Sequence, residues 1–141
     1  MERITKQAYY LSIAAEVAKR STCLRRQYGA VIVNHDEIVA TGYNGAPRGD
    51  PNCCDVGACW RELNNIPHGE QYEKCVAVHA ECNAIISASR KEMLGSTLYL
   101  AGFEGLDQPI ENPVPCLICT RLIKNAGIAH VVNHLGEVTL S

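Results

Sequence analysis

The pattern of apolar residues at the start of the chain predicts one helix followed by a hairpin. Apolar side chains recur at helical spacing in the first twenty positions, which predicts an amphipathic helix over residues 4–20. The β-branched run 30–33 predicts a strand, and residues 38–41 predict a second one. The polar residues 34–37 between them predict a hairpin with a four-residue loop.

The segment after the hairpin has no regular periodicity. Three glycines and Pro47 between positions 42 and 49 exclude a helix or a central strand there. Residues 50–78 are polar, rich in turn-forming residues and contain four of the chain's eight cysteines. This composition predicts an irregular, cysteine-rich insert.

Helical spacing returns with the apolar residues of segment 79–92. We expect one helix there, with Gly95 as its stop. A strand is predicted over 97–100, and residues 102–113 are predicted to form a loop.

The last third of the chain predicts one more helix and one or two strands. Pro115 suits the first turn of a helix that runs to about residue 126, and Gly127 suits its C-terminal stop. Residues 128–132 predict a strand, and a short final strand is possible near Val138. Helices that alternate with strands predict an α/β fold in which helices flank a sheet.

Composition narrows the classes of protein that fit. A length of 141 residues predicts one domain over residues 1–141. The net charge of −2 argues against a protein held to nucleic acid mainly by phosphate contacts. The longest apolar runs are too short to span a membrane, and the first residues lack the apolar core of a signal peptide. We therefore expect a cytoplasmic protein with no membrane partner.

Eight cysteines are many for a chain of this length. In a secreted protein they would predict disulfides. Without a signal peptide, and with a Cys-x-x-Cys pair and a histidine in the same chain, metal binding is the better interpretation.

Two short motifs predict a catalytic zinc site. His79 begins the sequence His-Ala-Glu, and Cys116 and Cys119 lie in Pro-Cys-x-x-Cys, which begins 36 residues after His79. One imidazole and two thiolates leave the fourth position of a tetrahedral zinc open to water, which is typical of catalytic sites. Both motifs begin predicted helices, where the helix field favours the thiolate form of cysteine.

Glu81 completes this predicted chemistry. His-x-Glu together with Pro-Cys-x-x-Cys is the signature of zinc deaminases, in which the glutamate transfers protons and is not a ligand. Water bound to zinc has a pKa of about 7, so it can attack a carbon that bears an amino group. The alternative is a structural zinc knuckle, but that would need a second pair of ligands at similar spacing, which His-x-Glu does not provide.

The chain resembles deoxycytidylate (dCMP) deaminases of the late-competence-operon type. Four segments carry the resemblance: YGAVIV at 28–33, TGYNGAPRG at 41–49, HAECNAI at 79–85 and PCLIC at 115–119. The resemblance implies a three-layer cytidine-deaminase-like sandwich, with a mixed central sheet of about five strands flanked by helices. It also implies hydrolysis of dCMP to dUMP and ammonia, which supplies thymidylate synthesis. Many members are homo-oligomers, often hexamers, regulated by dCTP and dTTP.

The same resemblance implies roles for residues around the zinc. Glu81 would be the proton shuttle, Asn44 would bind the sugar or phosphate side of the nucleotide, and the Ala80 backbone would contact the pyrimidine carbonyl. Glycine-rich backbone and a guanidinium suit an anion, so Arg48 is a candidate phosphate ligand. Further candidates are Arg25, Arg26 and Arg121.

The remaining cysteines suggest a second, structural zinc. The insert has few apolar residues with which to fold, and a metal would order it. Some members of the resembled family carry such a site. The expected ligands are Cys23, Cys53, Cys59 and Cys75, with Cys54 or His68 as substitutes, while Cys82 is expected in the core. The alternative is a set of free thiols.

Two rival functions remain open from sequence. The first is a deaminase of another substrate: tRNA adenosine, cytidine or guanine. The second is a non-catalytic zinc module that binds DNA or a protein partner. The long segment 101–114 departs from the resembled pattern, and it could line the pocket and change the contacts to base and phosphate.

Overall fold

The computed structural model describes residues 1–67, 75–105 and 107–140. The strands are β1 (Gln27–Asn34), β2 (Glu37–Tyr43), β3 (Thr97–Glu104), β4 (Gln108–Pro109), β5 (His130–Asn133) and β6 (Gly136–Glu137). The helices are α1 (Lys6–Ala18), α2 (Cys53–Val56), α3 (Trp60–Leu63), α4 (Ala80–Ile86), α5 (Arg90–Met93) and α6 (Leu117–Ala126). No helix in the described part of the chain is long and apolar enough to cross a membrane.

The strands of the described residues form one mixed sheet. Its order is β2-β1-β3-β5-β6, and β4 pairs with β3. β3 and β5 are parallel, whereas the other pairs are antiparallel. A parallel pair needs a crossover connection, and here α6 lies in the crossover between β3 and β5. The mixed sheet implied by the resemblance is confirmed.

Helices cover both faces of this sheet, so the interior strand β1 is buried on both sides. Val31 and Val33 pack with Tyr10 and Ala14 of α1 in one apolar cluster. The alternate residues of β1 belong to a larger cluster on the opposite face, which contains Ala30, Ile32, Ala80, Ala84 of α4 and Ile123 of α6. The three-layer arrangement expected from the resemblance is therefore present.

The first hairpin is tighter than the sequence predicted. β1 ends at Asn34 and β2 begins at Glu37, so the loop has two residues rather than four. His35 and Asp36 both have positive φ, 51° and 59°. Such backbone conformations suit a two-residue turn whose twist matches that of the strands.

The single helix predicted over 79–92 is wrong. α4 ends at Ile86, and α5 begins at Arg90. Ser89 caps α5 by accepting a hydrogen bond from the backbone N–H of Glu92, and the Glu92 side chain accepts one from the backbone N–H of Ser89. The Ser-x-x-Glu spacing is a sequence signal for a helix start, so this boundary could have been found.

The predicted loop 102–113 is also partly wrong. β3 continues to Glu104, and Phe103 pairs with Pro109 of β4 to form a second hairpin. The two short helices α2 and α3 lie in the insert that was predicted to be irregular.

The boundaries of the last helix and strand differ slightly from the prediction. Pro115 precedes the helix instead of lying in its first turn, because Cys116 is the N-cap of α6. Gly127 ends the helix in the left-handed conformation, as predicted. The final strand is Gly136–Glu137, just before Val138.

Candidate active site

The first turn of α4 is held against the sheet by a close backbone contact. His79 is the N-cap of this helix, and Glu81 lies in its first turn. A Cβ atom on Gly42 would lie 2.4 Å from both the Ala80 carbonyl oxygen and the Ala84 nitrogen, so only glycine allows β2 to pass here. Asn83 adds a hydrogen bond from its Nδ2 to the Tyr43 carbonyl oxygen, at 2.8 Å. These contacts fix where His79 and Glu81 lie.

The first turn of α6 presents the two cysteines of the Pro-Cys-x-x-Cys motif. The Cys116 sulfur accepts a hydrogen bond from the Cys119 backbone N–H at 3.4 Å, so the side chain caps its own helix. Cys119 is buried in the first turn. Both motifs therefore begin helices, as predicted.

A buried amide that sequence reasoning missed holds the segment before Cys116. Asn133 is fully buried at the end of β5, and its Nδ2 donates to the Pro113 carbonyl oxygen at 2.8 Å and to Asn112 Oδ1 at 3.0 Å. Its Oδ1 accepts from the Leu135 backbone N–H at 2.8 Å. A polar residue that ends an apolar strand is the sequence signal, but the partner at residues 112–113 is not apparent from sequence.

The two helix starts bring three metal ligands together. His79 Nδ1 lies 3.2 Å from the Cys119 sulfur and 3.5 Å from the Cys116 sulfur. The three ligand atoms all lie within 4.8 Å of one another. In a tetrahedral zinc site the nitrogen–sulfur separation would be roughly 3.6 Å, from the usual bond lengths. The donor set and its spacing therefore fit zinc.

Burial shapes the protonation of this site. Burial lowers the pKa of His79, which favours the neutral imidazole that a metal requires. Burial raises the pKa of the Glu81 carboxyl, although hydrogen bonds with its own backbone and with Cys119 oppose the shift. Glu81 thus sits beside Cys119 in a site where a carboxyl group can hold a proton.

Groups around Cys119 act against the helix field, which favours the thiolate. A hydrogen bond with Cys82 and burial raise the pKa of the Cys119 thiol. The hydrogen bond with Cys82 is the larger of these two causes. Loss of the proton must accompany binding of a metal, which is common for cysteine ligands.

A cavity of about 310 Å³ opens onto these residues. His79, Glu81 and Cys116 form part of its wall. Three arginines also line it: Arg25, Arg26 and Arg61. The cavity thus joins a metal-binding site to a region of positive charge.

Asn44 lies in the wall of this cavity, but its side chain is largely occupied within the protein. Its Oδ1 accepts from Ser21 Oγ at 2.6 Å and from the Tyr28 backbone N–H at 2.8 Å. Its Nδ2 donates to the Arg26 carbonyl oxygen at 2.9 Å. Asn44 therefore orders the segment that carries Arg25 and Arg26.

The other predicted substrate contacts are placed unevenly. Ala80 is fully buried beside His79 at the start of α4. Arg48 and Arg121 are exposed, and neither belongs to the cavity wall formed by the described residues. Val114 and Pro115 do line the cavity, so the end of the long segment 101–114 reaches it, as expected.

The structure gathers the cysteines expected to bind a second zinc without bringing them to ligand distance. Cys23, Cys59 and Cys75 line the same cavity. Burial raises the pKa of the Cys53 thiol, and the nearby sulfurs of Cys23, Cys59, Cys75 and Cys54 add to the rise. Within residues 1–67, 75–105 and 107–140, His79, Cys116 and Cys119 form the one cluster with metal-ligand spacing. Cys54 is exposed, and His68 lies outside the described residues.

Comparison with known proteins gives a consistent family. The family described as "Cytidine and deoxycytidylate deaminase zinc-binding region" matches residues 4–135. The deoxycytidylate deaminase of Mycobacterium phage D29 is 38% identical over 137 residues, which cover 94% of this chain and 96% of the phage protein. ComE operon protein 2 of Bacillus subtilis is 31% identical over 134 residues, and the match covers 93% of this chain but 60% of that protein.

A solved structure shares the fold. The dCMP deaminase of cyanophage S-TIM5, in complex with dCMP and dUMP, aligns with a TM-score of 0.64 and 25% identity. The alignment covers 94% of this chain and 83% of the phage chain.

Proposed function

The chain belongs to the family that shares the cytidine and deoxycytidylate deaminase zinc-binding region, and we propose that it hydrolyses dCMP to dUMP and ammonia. The observation that carries this proposal is the cluster of His79, Cys116 and Cys119 beside the buried Glu81, next to a cavity lined by three arginines. The deoxycytidylate deaminase of phage D29, which this chain matches over nearly its whole length, supports dCMP as the substrate. The product would supply thymidylate synthesis.

His79, Cys116 and Cys119 would hold the zinc ion. When bound, zinc lowers the pKa of a water molecule to about 7 and so supplies a nucleophile at neutral pH. Glu81 accepts a proton from the attacking water and donates it to the ring nitrogen of the base. Glu81 then takes the remaining proton from the hydroxyl added to the carbon and passes it to the amino group, which leaves as ammonia as the carbon–nitrogen bond breaks and the carbonyl forms. The Ala80 backbone contacts the pyrimidine carbonyl next to these groups.

Substitution of Glu81 by Gln tests the catalytic proposal. The amide keeps the shape of the side chain but cannot transfer the proton, so ammonia release from dCMP should fall by roughly 10²–10⁴-fold. The bound zinc and the melting temperature should be retained. Glu111→Gln, on an exposed residue, is the matched control and should behave as the wild type.

Assays of the wild-type protein distinguish the proposed dCMP deaminase from the rival deaminases and from a non-catalytic zinc module. Ammonia release is measured from dCMP, cytidine, guanine and a tRNA hairpin. Activity on one of the other substrates and none on dCMP would identify a different deaminase. No activity on any of them, with zinc bound, would favour the non-catalytic zinc module.

The arginines of the cavity suit the phosphate of the nucleotide better than Arg48 does. The Arg25 Nε is 3.1 Å from a Glu62 carboxylate oxygen, and the Arg26 side chain contacts Glu104 at 2.9 Å. Both pairs are partly exposed, so a doubly charged phosphate can compete for these guanidinium groups. We assign the phosphate to Arg25 and Arg26, while Asn44 holds their segment and can contact the sugar. Arg48 remains the alternative.

The ratio of activity on dCMP to activity on deoxycytidine separates these assignments. Arg25→Gln should lower kcat/KM for dCMP by roughly 10–100-fold, because a hydrogen bond to a charged group contributes about 1.5–3 kcal/mol. Deoxycytidine lacks the phosphate, so its kcat/KM should hardly change. Arg48→Gln is the matched comparison; a larger loss there would restore Arg48 to the phosphate role.

A second, structural zinc at Cys23, Cys53, Cys59 and Cys75 is part of the proposal. The Cys54 backbone N–H donates to the Thr22 carbonyl oxygen at 3.1 Å, which holds the start of α2 beside Cys23. A metal bound there would draw the four sulfurs closer together than they lie in this structure. Metal analysis should give two zinc ions per chain, and one after Cys75→Ser. One ion per active wild-type chain would reject the second site.

Three further predictions rest on the family resemblance. They are assembly as a homo-oligomer such as a hexamer, regulation by dCTP and dTTP, and a cytoplasmic location for a single domain of residues 1–141. Sedimentation measurements and assays with each nucleotide test the first two.

A further inference from the structure

A third cysteine, Cys82, contacts the metal-binding cluster through Cys119. The sulfur of Cys82 lies 3.6 Å from that of Cys119. Cys82 is on α4, three residues after His79, and Cys119 is on α6, so the contact joins the two helices that supply the ligands. The sequence placed Cys82 in the core, but the side chain is only partly buried.

The geometry distinguishes Cys82 from a ligand. The ligand atoms of His79, Cys116 and Cys119 all lie within 4.8 Å of one another, and the Cys82 sulfur does not belong to that group. Cys82 therefore contacts one ligand, Cys119, without joining the group of three. It is placed to act through Cys119.

The chemistry of a zinc ligand fixes the direction of this contact. A cysteine that binds zinc is a thiolate, so it has no proton to donate. Between Cys82 and a thiolate at Cys119, the donor can only be the Cys82 thiol. We propose that Cys82 is a positioning residue, whose S–H donates a hydrogen bond to the thiolate of Cys119. The inference rests on the zinc site of the proposed function, but not on the identity of the substrate.

Two effects follow from such a hydrogen bond. It orients the Cys119 side chain within α6, as outer partners of metal ligands commonly do. It also withdraws electron density from the sulfur, which makes Cys119 a weaker donor of charge to the metal. Cys82 thereby helps set how strongly the site acidifies water.

Cobalt substitution tests the hydrogen bond directly. The protein is stripped of zinc, loaded with Co²⁺ under reducing conditions, and its thiolate-to-cobalt absorption is recorded. Cys82→Ala and Cys82→Ser form a matched pair, because the two side chains have nearly the same volume and differ in one hydroxyl donor. Without a donor, the sulfur electrons of Cys119 lie higher in energy, so the alanine variant should absorb at longer wavelength. The serine variant should absorb close to the wild type.

Metal affinity provides a second readout that does not depend on turnover. In competition with a chelator, Cys82→Ala should bind Co²⁺ and Zn²⁺ about tenfold more weakly, because the lost orientation of Cys119 outweighs its stronger donation of charge, and Cys82→Ser should recover most of the loss. Equal changes in both variants would mean that Cys82 only fills space, which overturns the proposal. Loss of the absorption of one whole thiolate would also overturn it, since Cys82 would then be a ligand. If the spectral shifts are observed but the wild-type protein does not deaminate dCMP, the proposed substrate is rejected. The proposed role of Cys82 is then unaffected.

Discussion

The two helical layers lie on opposite faces of the same sheet and contribute differently to the molecule. On one face, α1 packs as a single helix of 13 residues whose buried side chains are Tyr10, Ala14 and Ala18. On the other face, the shorter helices α4 and α6 have the metal ligands His79 and Cys116 as their N-caps. The first layer contributes buried apolar surface, whereas the second also positions the metal ligands.

Both layers nevertheless approach the sheet through glycine. A Cβ atom on Gly29 would lie 2.0 Å from the Ala14 carbonyl oxygen in α1, and one on Gly42 would lie 2.4 Å from the Ala80 carbonyl oxygen in α4. The same contact thus supports stability on one face and catalytic geometry on the other. Substitutions at the two glycines can separate these contributions.

Gly42→Ala should produce the largest effect. Backbone atoms cannot rotate away from the added methyl group, so α4 must shift and carry His79 and Glu81 with it. We expect a loss of about 1–3 kcal/mol in the free energy of unfolding. A displacement of about 1 Å in the site should also lower kcat/KM by roughly 10²-fold. Steady-state kinetics, urea unfolding and metal content measure the three consequences.

Gly29→Ala is the matched substitution on the other face. It should lower the free energy of unfolding at least as much, because its contact is shorter. The folded variant should keep its zinc and lose less than about tenfold in kcat/KM, since α1 carries none of the proposed catalytic residues. Equal losses of activity at both glycines would contradict the division between the two faces.

Asn133→Ala should have an intermediate effect on the catalytic face. Removal of this buried amide leaves the Pro113 carbonyl and the Leu135 N–H without their partner, at a cost of about 2–3 kcal/mol. The segment before Cys116 should loosen, and chelators should remove zinc more readily.

The control for Asn133 is another asparagine with two backbone partners. Asn34 Nδ2 donates to the carbonyl oxygens of Glu92 and Leu94, at 2.8 and 3.1 Å, at the far end of β1. Asn34→Ala should cost less, because Asn34 is only partly buried, and should leave zinc release unchanged. Similar zinc release from both variants would show that Asn133 has no particular connection to the site.

The sequence predicted the metal site better than the path of the chain around it. His79, Cys116 and Cys119 were found because zinc demands particular residue types at short spacing, and those spacings survive any detail of the fold. The division between α4 and α5 was missed because apolar residues in 79–92 continue a helical pattern, while Ser89 and Glu92 favour a new start. In this segment the capping signal, and not the apolar periodicity, marks where the helix ends and the next begins.

Contacts between distant segments could not be predicted in the same way. The roles of Gly42 and Asn133 depend on which strands and helices become neighbours, and a single sequence does not contain that information. The same holds for Arg48 and Arg25. Both are arginines near glycine or cysteine motifs, but only Arg25 lines the cavity.

Tyr10→Phe should have the smallest effect. Tyr10 lies on the face covered by α1, which contributes to stability and carries none of the proposed catalytic residues. The Tyr10 hydroxyl donates to Asp36 Oδ1 at 2.6 Å and ties α1 to the first hairpin. The melting temperature should fall by about 2–4 °C, with unchanged activity on dCMP. Tyr9→Phe, on the exposed neighbouring ring, should leave the melting temperature unaltered.

The pH dependence of the stability difference between the wild type and Tyr10→Phe identifies the hydrogen bond from Tyr10 to Asp36. Its donation lowers the pKa of Asp36, and it raises the pKa of Tyr10 to about 12, above an ordinary value near 10. Because the carboxyl pKa is lowered, the ionised carboxylate stabilises the fold above about pH 4, and this stabilisation is lost in acid. Because the phenol pKa is raised, the protonated phenol stabilises the fold below about pH 10, and this stabilisation is lost as pH rises toward 12. The wild type should therefore exceed Tyr10→Phe in stability by a constant amount between about pH 5 and 9, and the gap should narrow at both extremes. A gap independent of pH would mean that the hydroxyl contributes through packing alone.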